Sequence, residues 1–469
     1  MTEAQTLFAA LRQAADPEVV ATIEALVRDA PDRKLNRLNA LAFAAATGQS
    51  EDSVIAAFLH AARLGLFDLS WNVLCPGCSG VLDAGTSLKS VNRAEYACAL
   101  CAMGYEPTLD EMVEVTFTVT PRARRIAAHS PHDLPPVEYY RQVFWSSGID
   151  LPEDAFEGAI DDIALELVEL PPGGRAVLSL TLPAEFVIVF DPVTHTAQFI
   201  DVKGEPTRER QSLALTFDRG RAQHATLTLR PGPLRVTLDN RTDTRVVPGV
   251  FVAGPAMHEM LGKRRPFLTA KRLLTNQTFR EIYRTSTLDV DQRLKITSLT
   301  FLFTDLKGST DLYERVGDLV AFDLVNEHFR ILHRIIAAES GAVVKTIGDA
   351  VMATFPTPDR ALAAALAIRK AMRTLNDAHR NEDLLVKIGI HEGPCLAVTL
   401  NDRQDYFGQT VNIAARVQGL AVSRSILATR SIVLHPHASD MLAAGGITPT
   451  VRSLPVRGIA HALDVYEIP

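Results

Sequence analysis

The chain has 469 residues, a length that exceeds what one hydrophobic core supports and predicts several domains. An apolar fraction of 47% and a charged fraction of 22% are those of a folded soluble protein, and the net charge of −7 argues against a general affinity for nucleic acid. No apolar run is long and unbroken enough to predict a membrane span. The first residues lack the basic start and apolar core of a signal peptide, so we predict a cytoplasmic protein.

Residues 1–70 are predicted to form a helical module. Apolar residues recur there mostly at three- and four-residue spacing, which is typical of helices with one buried face. Two interpretations stay open: a winged-helix-like module, or a helical bundle with no role in nucleic-acid binding. The bundle is favoured because no basic recognition helix stands out.

Residues 71–134 are predicted to form a zinc ribbon and a connector. The prediction rests on two Cys-x-x-Cys pairs, which are formed by Cys75, Cys78, Cys98 and Cys101. Each pair can hold one side of a tetrahedral Zn²⁺, and four thiolates leave no open coordination position, so the metal is expected to be structural. The alternatives are two buried thiol pairs without metal and a redox site; the second is disfavoured because the pairs do not lie on a strand-to-helix unit.

Residues 135–255 are predicted to form an antiparallel β-sandwich-like regulatory domain. Short runs of alternating apolar residues are separated there by turn sequences rich in Pro, Gly, Asp and Asn. No ligand constellation is visible, and its regulatory input is unknown. Residues 256–297 are predicted to form a helical linker, with a helix over 268–283, through which a signal can reach the last domain.

Residues 298–469 carry the strongest chemical signal. An apolar, β-rich run leads to Asp305, and the small-residue turn that begins at Gly308 then opens a helix. A carboxylate beside free backbone N–H groups can hold a divalent cation and a phosphate together. An ordinary strand-to-helix turn capped by Asp gives the same local pattern.

A second carboxylate strengthens the metal interpretation. The order β-α-β-β-α-β predicts a ferredoxin-like arrangement, in which the hairpin turn at Gly348 and Asp349 can lie beside Asp305. Two converging carboxylates repel each other unless a cation joins them. Hard oxygen ligands without nearby His or Cys favour Mg²⁺ or Mn²⁺, and two such ions can support phosphoryl chemistry.

Three motifs in this region resemble those of the class III nucleotidyl cyclases. They are FTDLKGST at 303–310, KTIGD at 345–349 and DYFGQTVNIAAR at 405–416. The resemblance covers about residues 298–469, with the motifs in the family's order and at its intervals. It implies a ferredoxin-like catalytic domain whose active site forms between two copies arranged head to tail.

The resemblance also implies a role for each matching position. The metal ligands would be Asp305, Asp349 and the carbonyl of Leu306. The phosphate-binding groups would be the backbone N–H groups of Lys307, Gly308, Ser309 and Thr310, together with Arg457, where the family usually has Lys. The base would be read by Lys345 and Asp405, and the ribose and α-phosphate would be bound by Asn412 and Arg416.

These roles imply a homodimeric adenylyl cyclase, since Lys with Asp at the base-reading positions selects adenine in this family. The reaction implied is in-line attack of the ribose 3′-oxygen of ATP on the α-phosphorus, which gives 3′,5′-cyclic AMP and pyrophosphate. A guanylyl cyclase is the first alternative and is disfavoured by Lys345 and Asp405. The second is a zinc-ribbon nucleic-acid-binding regulator with an inert cyclase domain, which the intact metal, base and ribose sets disfavour.

Overall fold

The computed structural model describes residues 3–92, 94–152, 155–218, 225–283, 288–289, 292–379, 384–400, 403–422, 424–455 and 462–469. The chain is a mixed α+β protein that divides into two compact units. The first consists of Met1–Pro107 and Glu111–Leu268, and the second of Thr108–Asp110 and Thr269–Pro469. Within the described ranges, no helix is both long enough and apolar enough to cross a bilayer.

The first unit starts with helices and continues mostly as β-structure. Its helices are α1 (Glu3–Ala14), α2 (Pro17–Asp29), α3 (Ala40–Thr47), α4 (Glu51–Leu64), α5 (Pro136–Tyr139), α6 (Phe156–Asp161) and α7 (Pro255–Gly262). Its strands are β1 (Phe67–Leu74), β2 (Val81–Gly85), β3 (Tyr96–Cys98), β4 (Met103–Tyr105), β5 (Val113–Val119), β6 (Ala164–Leu167), β7 (Arg175–Leu182), β8 (Val187–Asp191), β9 (Thr196–Val202), β10 (Gln211–Phe217), β11 (Leu227–Leu229), β12 (Gly232–Asn240) and β13 (Gly249–Val252).

The helices predicted at the start of the chain are present as α1–α4. Phe58 of α4 stacks on Phe117 of β5 with ring centroids 5.0 Å apart, and it meets Phe67 of β1 edge-on at 5.2 Å. The helices therefore share a core with the first sheet, whose strand order is β2-β1-β5. Strand β1 begins at Phe67, so it crosses the predicted boundary between residues 70 and 71.

Two further sheets form the β-rich part of the first unit, with orders β10-β12-β7 and β11-β9-β8-β13-β6, and their buried side chains belong to one core. The prediction of wholly antiparallel pairing was wrong, because β10 pairs with β12, and β9 with β11, in parallel. The chain alternates between the two sheets from β9 to β12. Each of these pairs is therefore joined by a crossover through the other sheet, and a crossover, unlike a tight hairpin, returns the strand in the same direction.

The second unit holds a mixed sheet flanked by helices. Its helices are α8 (Ala270–Leu274), α9 (Gln277–Ile282), α10 (Ser309–Val316), α11 (Asp318–Ala338), α12 (Pro358–His379), α13 (Gln409–Leu420), α14 (Arg430–Val433) and α15 (Pro436–Ala444). Its strands are β14 (Leu294–Lys307), β15 (Ala342–Ile347), β16 (Ala350–Phe355), β17 (Leu385–Leu400), β18 (Arg403–Phe407), β19 (Ile426–Thr429), β20 (Thr450–Leu454) and β21 (Leu463–Ile468).

The helix predicted over 268–283 is two short helices instead. The side chain of Thr269 caps α8, and that of Asn276 accepts a hydrogen bond from the N–H of Phe279 at 3.0 Å. An Asn at this position competes with helix continuation by satisfying the first free N–H groups of a new helix. The backbone of Asn276 is extended, with φ −91° and ψ 126°, so the helix is interrupted there and α9 starts anew.

The sheet order in the second unit is β15-β16-β14-β17-β19-β21-β20, with β18 paired to β17. The first four strands pair antiparallel and are connected through α10–α11 and α12, which is the predicted ferredoxin-like arrangement. Helices α11 and α12 cover one face, while α13 packs on β14 and β17. That packing needs Gly389, because a Cβ there would lie 2.2 Å from the backbone N of Gln418.

A short segment from an early part of the chain belongs to this unit. The N–H of Leu109 donates to the carbonyl of Lys295 at 2.9 Å. The carboxylate of Asp110 accepts from the N–H groups of Thr297 and Ser298. These donors lie where β14 shifts register against β17, so Asp110 satisfies backbone groups that the ladder leaves unpaired.

Candidate active site and cysteine cluster

The two carboxylates predicted to bind metal lie at the same end of the two central strands. Strands β14 and β16 pair antiparallel with Thr304 opposite Val351, so Asp305 and Asp349 extend from the same end of this pair. Asp349 lies in the β15–β16 turn, where Gly348 has a φ of 63°, a conformation that L side chains rarely adopt. Asp305 was expected at the strand end but lies within β14, which continues to Lys307.

The surroundings of these carboxylates fit a divalent cation. The Oδ2 atom of Asp349 is buried and accepts no hydrogen bond from any described residue. Asp305, directly opposite Lys387 in the β14–β17 ladder, has its Oδ2 atom 3.0 Å from the Lys387 Nζ atom. A buried carboxylate oxygen without a donor destabilises the fold unless a cation or water satisfies it. Carboxylate oxygens are the ligands that Mg²⁺ and Mn²⁺ prefer.

The segment predicted to hold phosphate lies directly beyond these carboxylates. Leu306 is buried, β14 ends at Lys307, and Gly308 precedes α10, which starts at Ser309. The first N–H groups of a helix are not bonded within it and point outward, which suits an anion. The side chains of Ser309 and Thr310 lie outside the described structure, as does the whole of Arg457.

The two residues predicted to read the base form an ion pair. The Nζ atom of Lys345 on β15 lies 2.5 Å from the Oδ2 atom of Asp405 on β18. The Lys345 side chain is 42% exposed, whereas that of Asp405 is 10% exposed. The other carboxylate oxygen of Asp405 accepts the N–H of Tyr406 at 2.8 Å, which fixes its orientation. The pair therefore presents a donor and an acceptor side by side, and the donor, Lys345, is the more exposed to solvent.

The residues predicted to bind the ribose and α-phosphate lie on α13. Asn412 is exposed and Arg416 is half-buried one turn later, on the same face of the helix. The start of α13 is fixed to β17 by the Thr410 hydroxyl, which donates to a backbone carbonyl of that strand at 2.5 Å. Within the described part of one chain, neither side chain bonds to the carboxylate pair or to the Lys345–Asp405 pair.

Three polar residues near these groups were missed by sequence reasoning. Lys387 could have been predicted from the sequence, because it is a charged residue within the apolar strand β17, as Lys345 is within β15. Gln277 and Arg280 carried no such signal. They lie on α9, before the cyclase motifs, and they contact the strands that carry Lys345 and Asp405 only in the folded chain.

The four cysteines form one cluster in the first unit. One pair lies in the connection between β1 and β2, and the other in the hairpin of β3 and β4. Their Sγ atoms all lie within 4.8 Å of one another. The Cys75 and Cys101 sulfurs are 3.6 Å apart, and those of Cys78 and Cys98 are 3.7 Å apart. Tetrahedral zinc with Zn–S bonds of about 2.3 Å separates its sulfurs by roughly 3.8 Å, whereas a disulfide separates them by about 2.0 Å.

Local backbone and charge also suit a cation here. Residues Ser79 and Ala102, each directly after the second cysteine of a pair, have nearly equal positive φ angles of 53° and 54°. A Cβ at Gly77 would lie 3.2 Å from the Cys101 sulfur. Hydrogen bonding from the Cys101 thiol lowers the pKa of Cys75, whereas contacts with the neighbouring thiols raise the pKa of Cys78 and Cys98. Four thiols this close ionise together only around a cation.

Two family models match successive parts of the chain, and their boundary differs from that of the structural units, because residues 269–281 match the first model but lie in the second unit. Residues 1–281 match a family of unknown function, DUF5939, and residues 292–444 match the adenylate and guanylate cyclase catalytic domain. An adenylate cyclase of Anabaena cylindrica is 30% identical over 185 residues, covering 36% of this chain and 36% of that protein. Adenylate cyclase 2 of Rhizobium meliloti is 33% identical over 147 residues, covering 28% of this chain and 40% of that protein.

Among solved structures, the adenylyl cyclase CyaB from P. aeruginosa aligns with 24% identity and a TM-score of 0.34, covering 38% of this chain and 96% of that chain. The chain thus spans well under half the length of the curated relatives described above.

Proposed function

The chain belongs to the DUF5939 family and carries an adenylate and guanylate cyclase catalytic domain at residues 292–444, and from that premise we propose that it is an adenylyl cyclase. Its substrate would be ATP, and its products 3′,5′-cyclic AMP and pyrophosphate. The N-terminal domains would control this activity.

The observation that carries the proposal is the Lys345–Asp405 ion pair. Adenine offers an acceptor at N1 beside a donor at its N6 amine, and the pair offers a donor beside an acceptor. Guanine offers the opposite pattern on that edge, so its binding would leave polar groups of the site unpaired. An unpaired buried polar group costs about 1–3 kcal/mol, which is enough to select one purine over the other.

The remaining groups support the chemistry of cyclisation. Asp305, Asp349 and the Leu306 carbonyl would hold divalent cations, which when bound neutralise phosphate charge and activate the attacking 3′-oxygen. The backbone N–H groups at the start of α10 would orient the triphosphate, with Arg457 as a further candidate. Asn412 would position the ribose, and Arg416 would stabilise the charge that develops on the α-phosphate.

We propose that two copies of the chain complete each site. Two hairpins, β15–β16 and β17–β18, carry the base-reading pair and expose large apolar side chains beside it: Ile347 is 53% exposed, Leu400 47% and Phe407 66%. Exposed apolar side chains clustered around a site are typical of a surface that a partner covers. A symmetric homodimer would place the metal carboxylates of one copy opposite the base and ribose residues of the other.

An activity assay tests this function directly. Purified full-length chain is expected to convert ATP to cyclic AMP in Mg²⁺ or Mn²⁺, and to use GTP at least about a hundredfold less efficiently, because the pair mispairs with guanine. Products are separated and identified by mass. Preferential formation of cyclic GMP would establish the guanylyl alternative, and no cyclic product with either nucleotide would contradict the proposal.

We also propose that the cysteine cluster holds one structural Zn²⁺. Purification without chelator is expected to give about one zinc per chain by elemental analysis, as a closed four-thiolate site binds one ion. Replacing Cys75 and Cys98 together by Ser should remove it. The matched control is Cys395→Ser, which alters a buried thiol of β17 outside the cluster and should leave the zinc content unchanged. Wild-type protein without zinc would refute this assignment.

A further inference from the structure

Helix α9, which precedes the cyclase motifs, is bonded to both strands that carry the base-reading pair. The guanidinium of Arg280 donates through Nη2 to the carbonyl of Val344 at 3.3 Å and to the carbonyl of Gln404 at 2.9 Å. These are the residues immediately before Lys345 and Asp405. The Arg280 side chain therefore links strands β15 and β18 directly beside Lys345 and Asp405.

A second bond fixes the same strand. The side-chain carbonyl of Gln277 accepts the N–H of Val343 at 2.9 Å. Strand β15 lies at the edge of the described sheet, and its register against β16 shifts between Val343 and Lys345. A bulge on an edge strand leaves backbone groups without ladder partners. Helix α9 supplies partners for the backbone of Val343 and Val344, so the irregular part of β15 just before Lys345 depends on it.

A further contact, with helix α8, fixes strand β18. The buried hydroxyl of Tyr406, next to Asp405, donates to the carbonyl of Leu274 in α8 at 3.3 Å and accepts from the side-chain amide of Gln404 at 3.0 Å. Burial raises the pKa of Tyr406 to about 12, so this hydroxyl stays protonated and able to donate. The paired short helices α8 and α9 thus hold β18 as well as β15.

We propose that Arg280 is a positioning residue for purine recognition: by holding the carbonyls of Val344 and Gln404 together, it sets the separation of Lys345 and Asp405. This inference rests on the proposed function of that pair. It also gives the predicted helical linker, residues 256–297, a way to affect the active site, since any movement of α9 changes the spacing of the two groups that read the base.

The physical basis is that base reading depends on distance more steeply than general nucleotide binding does. A donor and an acceptor recognise adenine only when both meet its edge at hydrogen-bond length. Phosphate binding depends on groups at the start of α10 and tolerates a small change at β15. Loss of the two Arg280 hydrogen bonds should therefore weaken adenine nucleotides selectively, whereas general loosening of the domain would weaken every nucleotide.

The test measures binding rather than turnover, so it stays separate from the question of catalysis. Dissociation constants of full-length protein are measured for 3′-deoxy-ATP and 3′-deoxy-GTP, which lack the attacking hydroxyl. Arg280→Met, which keeps the apolar stem, is expected to weaken 3′-deoxy-ATP about tenfold and 3′-deoxy-GTP by no more than about twofold. Arg280→Lys keeps the charge on a shorter side chain whose ammonium reaches the two carbonyls less well, and about a threefold loss is expected.

Arg403→Met is the matched control. Arg403 is an exposed arginine of β18 that lines the same surface hollow as Arg280, so its removal changes the local charge by the same amount. It should leave both dissociation constants within about twofold. Equal weakening of both nucleotides by Arg280→Met, no change at all, or the same selective loss in Arg403→Met would each overturn the inference. Adenine-selective binding without turnover would instead contradict the proposed reaction and leave the inference standing.

Discussion

The Asp349→Asn variant is expected to form cyclic AMP about a thousandfold more slowly than the wild-type protein. Asparagine keeps the volume and the turn but removes the charge that would hold a cation against the phosphates. The Asp349 Oδ2 atom accepts no hydrogen bond among the described residues, so no described donor loses a partner at that oxygen. Initial rates are measured with saturating ATP and Mg²⁺.

Two comparisons make this result specific. Asp305→Asn should cause a similar loss but should also lower thermal stability, because Lys387 loses its partner 3.0 Å away. Asp323→Asn, which changes an exposed carboxylate on α11 of the same domain, should retain full activity. If Asp349→Asn kept a rate within about threefold of wild type, the metal assignment and the two-metal reaction would both be wrong.

The same variant tests the dimer. If each site takes its carboxylates from one copy and Arg416 from the other, co-expressed Asp349→Asn and Arg416→Ala chains should recover activity that neither has alone. Random pairing of equal amounts makes half of the dimers mixed, each with one intact site of two, so about a quarter of wild-type activity is expected. No recovery would show that both sets act within one chain.

The double variant Lys345→Glu, Asp405→Cys is expected to lower the preference for ATP over GTP by at least about a hundredfold. Glutamate accepts where lysine donated, which matches the donors on the guanine edge. The two changes must be combined, because Lys345→Glu alone places two carboxylates where an ion pair of 2.5 Å stood. Specificity is measured as the ratio of kcat/KM for the two nucleotides.

Lys370→Glu provides the matched control, since it reverses an exposed charge on α12 of the same domain. It should leave the nucleotide ratio unchanged. A double variant that stays active and keeps its preference for ATP would refute the assignment of the base-reading pair, whatever the outcome for the carboxylates.

Much of the catalytic unit was predictable from sequence because its signals are local. The order of strands and helices followed from apolar periodicity, and the turn at Gly348 and Asp349 from its composition. The strand limits were harder to predict: β14 continues past Asp305 to Lys307, because ladder pairing with the long strand β17 extends it past the point where its own sequence favours a strand. Asp305 therefore lies inside a strand.

In the first unit, the sequence showed the cysteine spacing and the alternating strands but not their pairing. Parallel pairing of β10 with β12 depends on a crossover between two sheets. The alternation of apolar and polar residues in a short strand is the same whether the strand pairs parallel or antiparallel. The sequence also contained no indication that Thr108–Asp110 belongs to the second unit. Its bonds join residues about 190 positions apart, which no local pattern reports.

The sequence by itself determined which groups are available: two acids, a lysine and an aspartate, an asparagine and arginine one helical turn apart, and four thiols in two pairs. Side-chain chemistry and short spacing are written directly in the chain. Tertiary structure alone decided which groups meet, including the Lys345–Asp405 contact, the four sulfurs within 4.8 Å and the hold of Arg280 on two strands. Such contacts depend on packing summed over the whole domain, because residues distant in the chain become neighbours only when its core forms.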